Sequence, residues 1–443
     1  MIFKRKLYSE MLQWKQQWQG KYALLIEGAR RVGKSTLAEN FAKNEYKSYI
    51  LIDFSKSSLQ VRELFDDIND LDFFFFKLQG IFKIQLIERQ SVIIFDEVQN
   101  EPKARQAIKH LVKDGRYDYI ETGSLISIRK NVQNIVIPSE EMSMTLNPMD
   151  FEEFYWALGN DVTPSQMRQV FEIKRPVGDA LHRRWMRDLR LYMLVGGMPQ
   201  AVNAYLEYNN LQQVDKVKRE ILKLYDTDFH KIDSSGRASL IFKDIPAQLS
   251  GNASRYMISS AIGSRRTDNT DVIISEMCES RTINISYHCT DPNVGLSLHK
   301  SLDAFKIFIA DTGLFVTLCF WDKDYTENII YEKLLSDKLE ANLGYIYENL
   351  AAQMFTASGN KLFYYTFPTE NEKHNYEVDF LLSRGNKLIP IEVKSSGYKT
   401  HKSLDLFSEK FSSRIGERIL LYTKDYNKEG MVQYMPMYFA GLV

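Results

Sequence analysis

At 443 residues the chain is long enough for roughly two to four domains, each with its own apolar core, which excludes a single small module. Its 57 basic and 57 acidic residues cancel to a formal net charge of zero, excluding a global basic field and leaving only a local patch to meet nucleic acid. Three cysteines, Cys278, Cys289 and Cys319, are too few for a disulfide framework and lack metal-ligand spacing, so a reducing, cytoplasmic setting is expected.

The opening MIFKRKLYSEMLQWKQQW turns polar too early for the apolar core of a secretory signal. No run approaches the ~18 apolar residues of a membrane span, so no membrane partner is expected, and LDFFFF around Phe73 reads as buried core. Through about residue 125, the apolar runs YALLI, YILIDF, SVIIFDE and YDYIETGS alternate with helical stretches, the pattern of βαβ units and a parallel sheet. From Pro148 to about Tyr225 the pattern is helical, with Trp156, Trp185 and LYMLVGGMP, and reads as a lid or connector. Short helical segments FKDIPAQLS and SRYMISSAI precede the strand-like RTINISYH, as in a winged helix. AFKIFIADTGLF, a helix near Glu348, and the strands YEVDFLL and LIPIEVKSS then suggest a second α/β domain. The expected divisions are 1–150, 151–227, 228–300 and 301–443, with no internal repeat.

The segment Gly28, Ala29, Arg30, Arg31, Val32, Gly33, Lys34, Ser35 fits G-x-x-x-x-G-K-[ST] and lies between an apolar strand and an amphipathic helix, with Thr36 following. Glycines there let backbone N–H groups curl around phosphates, Lys34 neutralises the β and γ oxygens, and the helix N-terminus adds positive potential. Ser35 offers its hydroxyl to magnesium. The strand Val92 to Phe95 delivers Asp96 and Glu97 at its carboxyl end, where parallel sheets bind ligands. Asp96 is expected to hold magnesium and Glu97 to orient and polarise the attacking water. Thr122, Gly123 and Ser124 end a further strand, where Thr122 is placed to sense the γ-phosphate or simply to close a turn. Arg30, Arg31, Arg105, Arg116 and Arg129 are candidate transition-state fingers, and a finger from another subunit would make the protein a homo-oligomer.

Alternation along YEVDFLL sends Glu377 and Asp379 to one face, and along LIPIEVKSS it sends Glu392 and Lys394 to one face. Were the strands adjacent, Asp379 and Glu392 would chelate one divalent metal while Lys394 activates water, the requirements of phosphodiester hydrolysis. Glu348, pointing away from the apolar helix face that includes Leu339, Leu343 and Ile346 and flanked by small Gly344, Ala351 and Ala352, is expected to be accessible as a fourth member. A structural salt-bridge cluster is the alternative for the same residues. Arg255, Arg265 and Arg266, with Arg281 near the candidate wing, are candidate phosphate contacts. His230, His288 and His299 form no ligand pattern.

GARRVGKSTL, IIFDEVQ, ETGS, VGGMPQAV, IADTGL, GYIYENLAAQMF, EVDF and PIEVKSS together make a series over nearly the whole chain. In these motifs the chain resembles a bacterial and archaeal family of AAA-like P-loop ATPases with a C-terminal restriction-endonuclease-like, PD-(D/E)xK domain. The fold class so implied is α/β: a P-loop NTPase parallel sheet with a helical lid, a winged-helix middle segment and a restriction-endonuclease-like α/β domain. The resemblance implies nucleotide roles for Lys34, Ser35, Asp96 and Glu97 and nuclease-like roles for Glu348, Asp379, Glu392 and Lys394, with ATP and Mg2+ as ligands and double-stranded or branched DNA as partner. Ser35 stands where threonine is commoner, which keeps the hydroxyl. The expectation is an ATP-binding, ATP-hydrolysing protein acting on DNA; the alternative is a regulatory or signalling ATPase whose C-terminal domain binds a partner or DNA without cutting it.

Overall fold

The apolar runs of the first third become strands buried on both faces. In the computed structural model, which describes residues 1–66, 68–123, 139–251, 253–263, 266–322, 328–336, 344–369 and 374–443, the chain divides into two units, Met1–Asn147 and Pro148–Val443. Strands β1 (Ala23–Glu27), β2 (Ser48–Asp53), β3 (Ser91–Asp96), β4 (Asp118–Gly123) and β5 (Glu141–Thr145) form an all-parallel sheet in the order β2-β3-β4-β1-β5. Every residue of β1, β3 and β4 is buried, because helices cover both faces of the sheet. One face packs Ile52, Phe54, Phe95 and Tyr119 against Ile108 and Leu111, and the other packs Ile26, Ile94 and Ile120 against Phe41 and Trp14. Parallel register sets Phe95 beside Glu121 and Ile26 beside Thr122, so Asp96 and Thr122 emerge together at the carboxyl edge.

LDFFFF forms part of the helix Leu71–Phe82, and a 3.6-residue period cannot bury four consecutive rings. Phe74 and Phe75 enter the core, while Phe73 and Phe76 remain 50% and 72% exposed. The reading of this run as wholly buried is therefore corrected. Ser124 and Arg129 lie outside the described residues.

The second unit opens with the helices Phe151–Ala157, Val162–Ile173, Asp179–Val195, Pro199–Tyr208 and Leu211–Ile232. Two segments of the sequence series meet here. Gly197 N–H donates to Asp311 Oδ2 at 2.5 Å, Asp311 Oδ1 accepts from Leu314 N–H at 2.8 Å, and a Cβ on Gly197 would lie 2.1 Å from the Met149 carbonyl oxygen. Lys218, buried below them, donates to Leu194 O at 2.6 Å and Gly313 O at 3.1 Å. VGGMP and IADTG are thus joined as a packing junction.

The helices Arg237–Ser250, Ile258–Ile262 and Asp268–Glu279 follow, and then the antiparallel strands β6 (Ile283–Cys289) and β7 (Lys300–Ile309). The expected division at residue 300 falls inside this pair. β6 also pairs in parallel with β8 (Leu362–Pro368), which pairs with β9 (Asn375–Val378), giving the sheet β7-β6-β8-β9. A second mixed sheet runs β10-β11-β12-β14-β13, with β10 Phe380–Arg384, β11 Lys387–Lys394, β12 Arg418–Tyr422, β13 Asn427–Glu429 and β14 Val432–Pro436. YEVDFLL is therefore not one strand. It breaks at Asp379, whose carboxylate accepts from Val393 N–H at 2.7 Å, so the stretch before it pairs with β8 and the stretch after it with β11. No described helix is long and apolar enough to cross a membrane.

Candidate functional site

The loop after β1 takes its shape from two glycines. Gly33 has φ +99°, a conformation costly for a side chain, and a Cβ on Gly28 would lie 2.4 Å from the Leu146 carbonyl oxygen. Ala29 and Val32 are buried beneath the loop, Arg30 is half-buried, and Arg31 and Thr36 are exposed. Lys34 begins the following helix, Lys34–Glu45, and is buried, its ammonium donating to Gly28 O at 2.9 Å and Ala29 O at 3.1 Å. The ammonium thus sits on the inner side of the loop, where nucleotide phosphates would meet it.

Opposite the loop, Ser35 Oγ donates to Asp96 Oδ1 at 2.6 Å, and Thr122 Oγ1 donates to the same oxygen. Three oxygen groups from the P-loop helix, β3 and β4 therefore converge. A hydroxyl and a carboxylate at this spacing suit a hard cation such as magnesium, which takes oxygen donors and keeps much of its water. Glu97 has left-handed φ +53°, its N–H points to Thr122 Oγ1 at 3.4 Å, and its carboxylate is held by the Gln99 amide. Gln99 was not singled out from sequence. Its signal was present in IIFDEVQ, two residues past Glu97, but only the turn there folds it back.

The finger candidates separate clearly. Arg105 is 3% exposed and lies 3.3 Å from Glu121 and 2.8 Å from Glu141, with burial raising the Glu121 carboxyl well above the usual range and Arg105 opposing that rise. Arg116 is bound by Asp114 at 2.8 Å and Asp72 at 2.6 Å. Both arginines are thereby committed within their own unit and are withdrawn as fingers.

In the second unit, the helix Gly344–Ala357 presents Glu348 toward the bend at Asp379. Glu348, Glu377 and Asp379 each bring an oxygen within 4.8 Å of the others. Lys306 of β7 enters the group, 2.9 Å from Glu348 and also bonded to Glu377. The expectation of an accessible Glu348 is thus corrected, since its carboxylate receives a buried ammonium. Burial raises Asp379 well above the usual carboxylate range and raises Glu377 as well, with neighbouring carboxylates adding to both. Burial disfavours the charged Lys306, but Glu348, Glu377 and Asp379 outweigh it and hold the ammonium on.

β10 and β11 are adjacent and antiparallel, with Phe380 opposite Ile391. Asp379 bonds the backbone at Val393, between Glu392 and Lys394. Glu392 Oε1 pairs with Lys394 at 2.7 Å, while the buried Glu392 Oε2 has no hydrogen-bond partner. Lys394 is raised by Glu392, against the effect of burial. The orphaned oxygen beside a carboxylate-rich bend fits a divalent cation held by oxygen donors. Lys306 and the site role of Glu377 were missed from sequence; the available sign was a lysine inside the otherwise apolar AFKIFIA strand.

The middle segment offers phosphates little. Its helix Asp268–Glu279 carries Asp268, Asp271, Glu276 and Glu279 and no Lys or Arg. Arg266 is engaged by Asp271 at 2.5 Å and Asp303 at 3.3 Å, Arg281 is half-buried, Arg255 is exposed, and Arg265 lies outside the described residues. Of the arginines expected to meet phosphates here, Arg266 is thus already engaged by two carboxylates. Leu339 and Leu343 also lie outside the described residues.

Residues 20–155 match a family described as an AAA domain. Residues 186–325 and 343–439 match two domains of unknown function, DUF8612 and DUF4143. None of the curated proteins matches in sequence. Among solved structures, the chain is similar to the Walker-type ATPase of Pyrococcus abyssi, at 16% identity over 72% of this chain and 96% of that one, with a TM-score of 0.41. It is also similar to Cdc6p from Pyrobaculum aerophilum, at 12% identity over 77% and 97%, with a TM-score of 0.25. The Thermotoga maritima RuvB Holliday junction branch migration motor shares 10% identity over 63% and 89%, with a TM-score of 0.28. These structural likenesses are loose. The matched AAA domain, the P-loop and the Ser35, Asp96 and Thr122 oxygens at one sheet edge make the N-terminal unit an AAA-type, ATP-binding P-loop domain.

Proposed function

We propose that the chain hydrolyses ATP with magnesium in its N-terminal unit and carries in its C-terminal unit a restriction-endonuclease-like module for metal-dependent cleavage of DNA. The observation that carries the ATPase reading is the convergence of Ser35 and Thr122 on one oxygen of Asp96, beside the Lys34 loop. Lys34 would neutralise the phosphate oxygens, and Ser35 and Asp96 are the residues that would hold magnesium, which would supply positive charge at the transferring phosphoryl group. Glu97 orients the attacking water and takes its proton, held in position by Gln99. Thr122 links the Asp96 end of β3 to the backbone at Glu97, so the two acids are positioned together.

The DNA reading rests on Asp379 bonding between Glu392 and Lys394, with Glu392 Oε2 left unpartnered. Asp379, Glu392 and Glu348 are the residues that would hold a divalent metal, which would polarise the scissile phosphate. Lys394 would orient the attacking water.

A second reading, a regulatory ATPase whose C-terminal unit binds without cutting, is favoured by one observation. Lys306 already neutralises Glu348 and Glu377 from within the fold. Labelled linear and branched DNA incubated with the protein in magnesium or manganese, with and without ATP, separates the two. Cutting that disappears in Glu392→Ala supports the nuclease reading, and intact DNA beside normal ATP turnover supports the other.

A further inference from the structure

The helix Asp179–Val195 places Arg183, Arg187 and Arg190 at intervals of four and three residues, hence along one face. With Lys424 these arginines line a cavity of about 710 Å3 within the C-terminal unit. Two carboxylates, Asp179 and Glu332, also line it, so four cations face two anions, and Arg183 is paired with Asp179 at 3.1 Å. Arg187 and Lys424 are exposed. Met186 and Leu335 add apolar surface to the lining.

One wall is held firmly. His182, buried, bonds the Thr423 carbonyl oxygen at 3.1 Å and the Tyr438 hydroxyl at 3.2 Å. Burial lowers its pKa, so the imidazole is neutral at pH 7 and fixes the Thr423–Lys424 turn without adding charge. Thr423 in turn donates to Ser395 O at 3.2 Å, and the preceding Tyr422 is the register partner of Lys394. The basic cavity therefore begins one residue beyond the strand position that neighbours Lys394, at the same sheet edge. Its volume lies in the range that takes a ligand of nucleotide size, and mixed cationic and apolar lining suits a phosphate with its sugar.

We infer that this cavity binds the sugar-phosphate backbone of a DNA strand and leads it past Lys394. Binding follows from the cavity and its charge alone; that the strand is then cut rests on the reading given above. This also moves the contact away from the middle segment, whose helix Asp268–Glu279 is acidic.

Anisotropy of a labelled single-stranded 20-mer, titrated with the full chain in EDTA over a salt series, tests it. Arg187→Glu combined with Lys424→Glu should weaken binding at least tenfold and flatten the salt slope by about 1.4, ~0.7 for each lost contact on a single strand. Arg187→Gln with Lys424→Gln should give a smaller loss of the same sign. Unchanged ATP turnover and an unchanged melting temperature show both variants folded. Affinity and slope equal to the parent's, or no strand binding by the parent, overturn the proposal. Labelled ATP added to Lys34→Ala protein provides the other arm: saturable binding abolished by the charge reversal, without strand binding, assigns the cavity to a free nucleotide and also overturns it. Strand binding that needs Arg187 and Lys424 but persists in Glu392→Ala supports the proposal, whether or not the parent cuts, so the cleavage reading stands or falls separately.

Discussion

Lys306 Nζ lies 2.9 Å from Glu348 Oε1, joining strand β7 to the helix that precedes β8 of the same sheet, with both side chains largely buried. The same ammonium serves Glu377, so a single cation offsets two carboxylates beside a third, Asp379. Lys306→Met should destabilise the C-terminal unit by about 3–5 kcal/mol, the range for removing one partner of a buried pair. Urea unfolding followed by far-UV circular dichroism measures it. Lowering the pH to protonate the carboxylates should recover part of the loss.

Asp379 and Glu377 give the stability a definite pH dependence. Their folded-state pKa values are raised, so between the ordinary carboxylate pKa near 4 and the raised values the folded state holds more protons than the unfolded one. Stability should therefore fall as pH rises through that window. Asp379→Asn, which keeps an acceptor for Val393 N–H, should flatten the fall and raise the melting temperature at pH 7. A variant no more stable than the parent at pH 7, and with the same pH profile, would remove the case for crowded carboxylates.

In the nucleotide site, Lys34→Ala should abolish ATP binding. Glu97→Gln should retain binding while turnover falls by about 10²–10⁴-fold, the usual contribution of a positioned base. Gln99→Ala should lower turnover less, with little change in KM, because it acts through Glu97. Steady-state phosphate release together with fluorescent-nucleotide binding distinguishes these cases, and full turnover in Glu97→Gln would refute its role as base.

Arg105 offers a contrast between structural and catalytic arginines. Its removal strands buried Glu121 and Glu141, so Arg105→Ala should lower the melting temperature of the N-terminal unit. Where the variant remains folded, turnover per folded molecule should stay within a few-fold of the parent. A loss of orders of magnitude at full stability would reinstate it as a finger.

Gly197→Ala should be among the most damaging small substitutions, because its Cβ would meet the Met149 carbonyl oxygen at 2.1 Å and the backbone donor to Asp311 would shift. The expected outcome is loss of the folded C-terminal unit at 37 °C, read by limited proteolysis. Gly159→Ala, where a Cβ meets nothing within 4 Å but φ is +76°, should cost only about 1 kcal/mol.

The sequence by itself determined what is local. A glycine-framed loop ahead of a helix, and an apolar strand ending in Asp96 and Glu97, have their chemistry written in contiguous residues, because a loop's conformation and a strand's exit point follow from a few neighbours. The strand carrying Glu392 and Lys394 was legible for the same reason, as a contiguous apolar run, whereas YEVDFLL, read as one strand, breaks at Asp379. Tertiary structure alone decided which charges neutralise which. Lys306 is 42 residues from Glu348 in sequence, and nothing in AFKIFIA states which carboxylate its ammonium will reach. Arg105 likewise looked free for catalysis until the sheet brought Glu121 and Glu141 to it. The bend at Asp379 depends on one hydrogen bond to a strand not yet formed when YEVDFLL is read alone. Coulomb energy depends on distance and burial, and both are properties of the assembled fold.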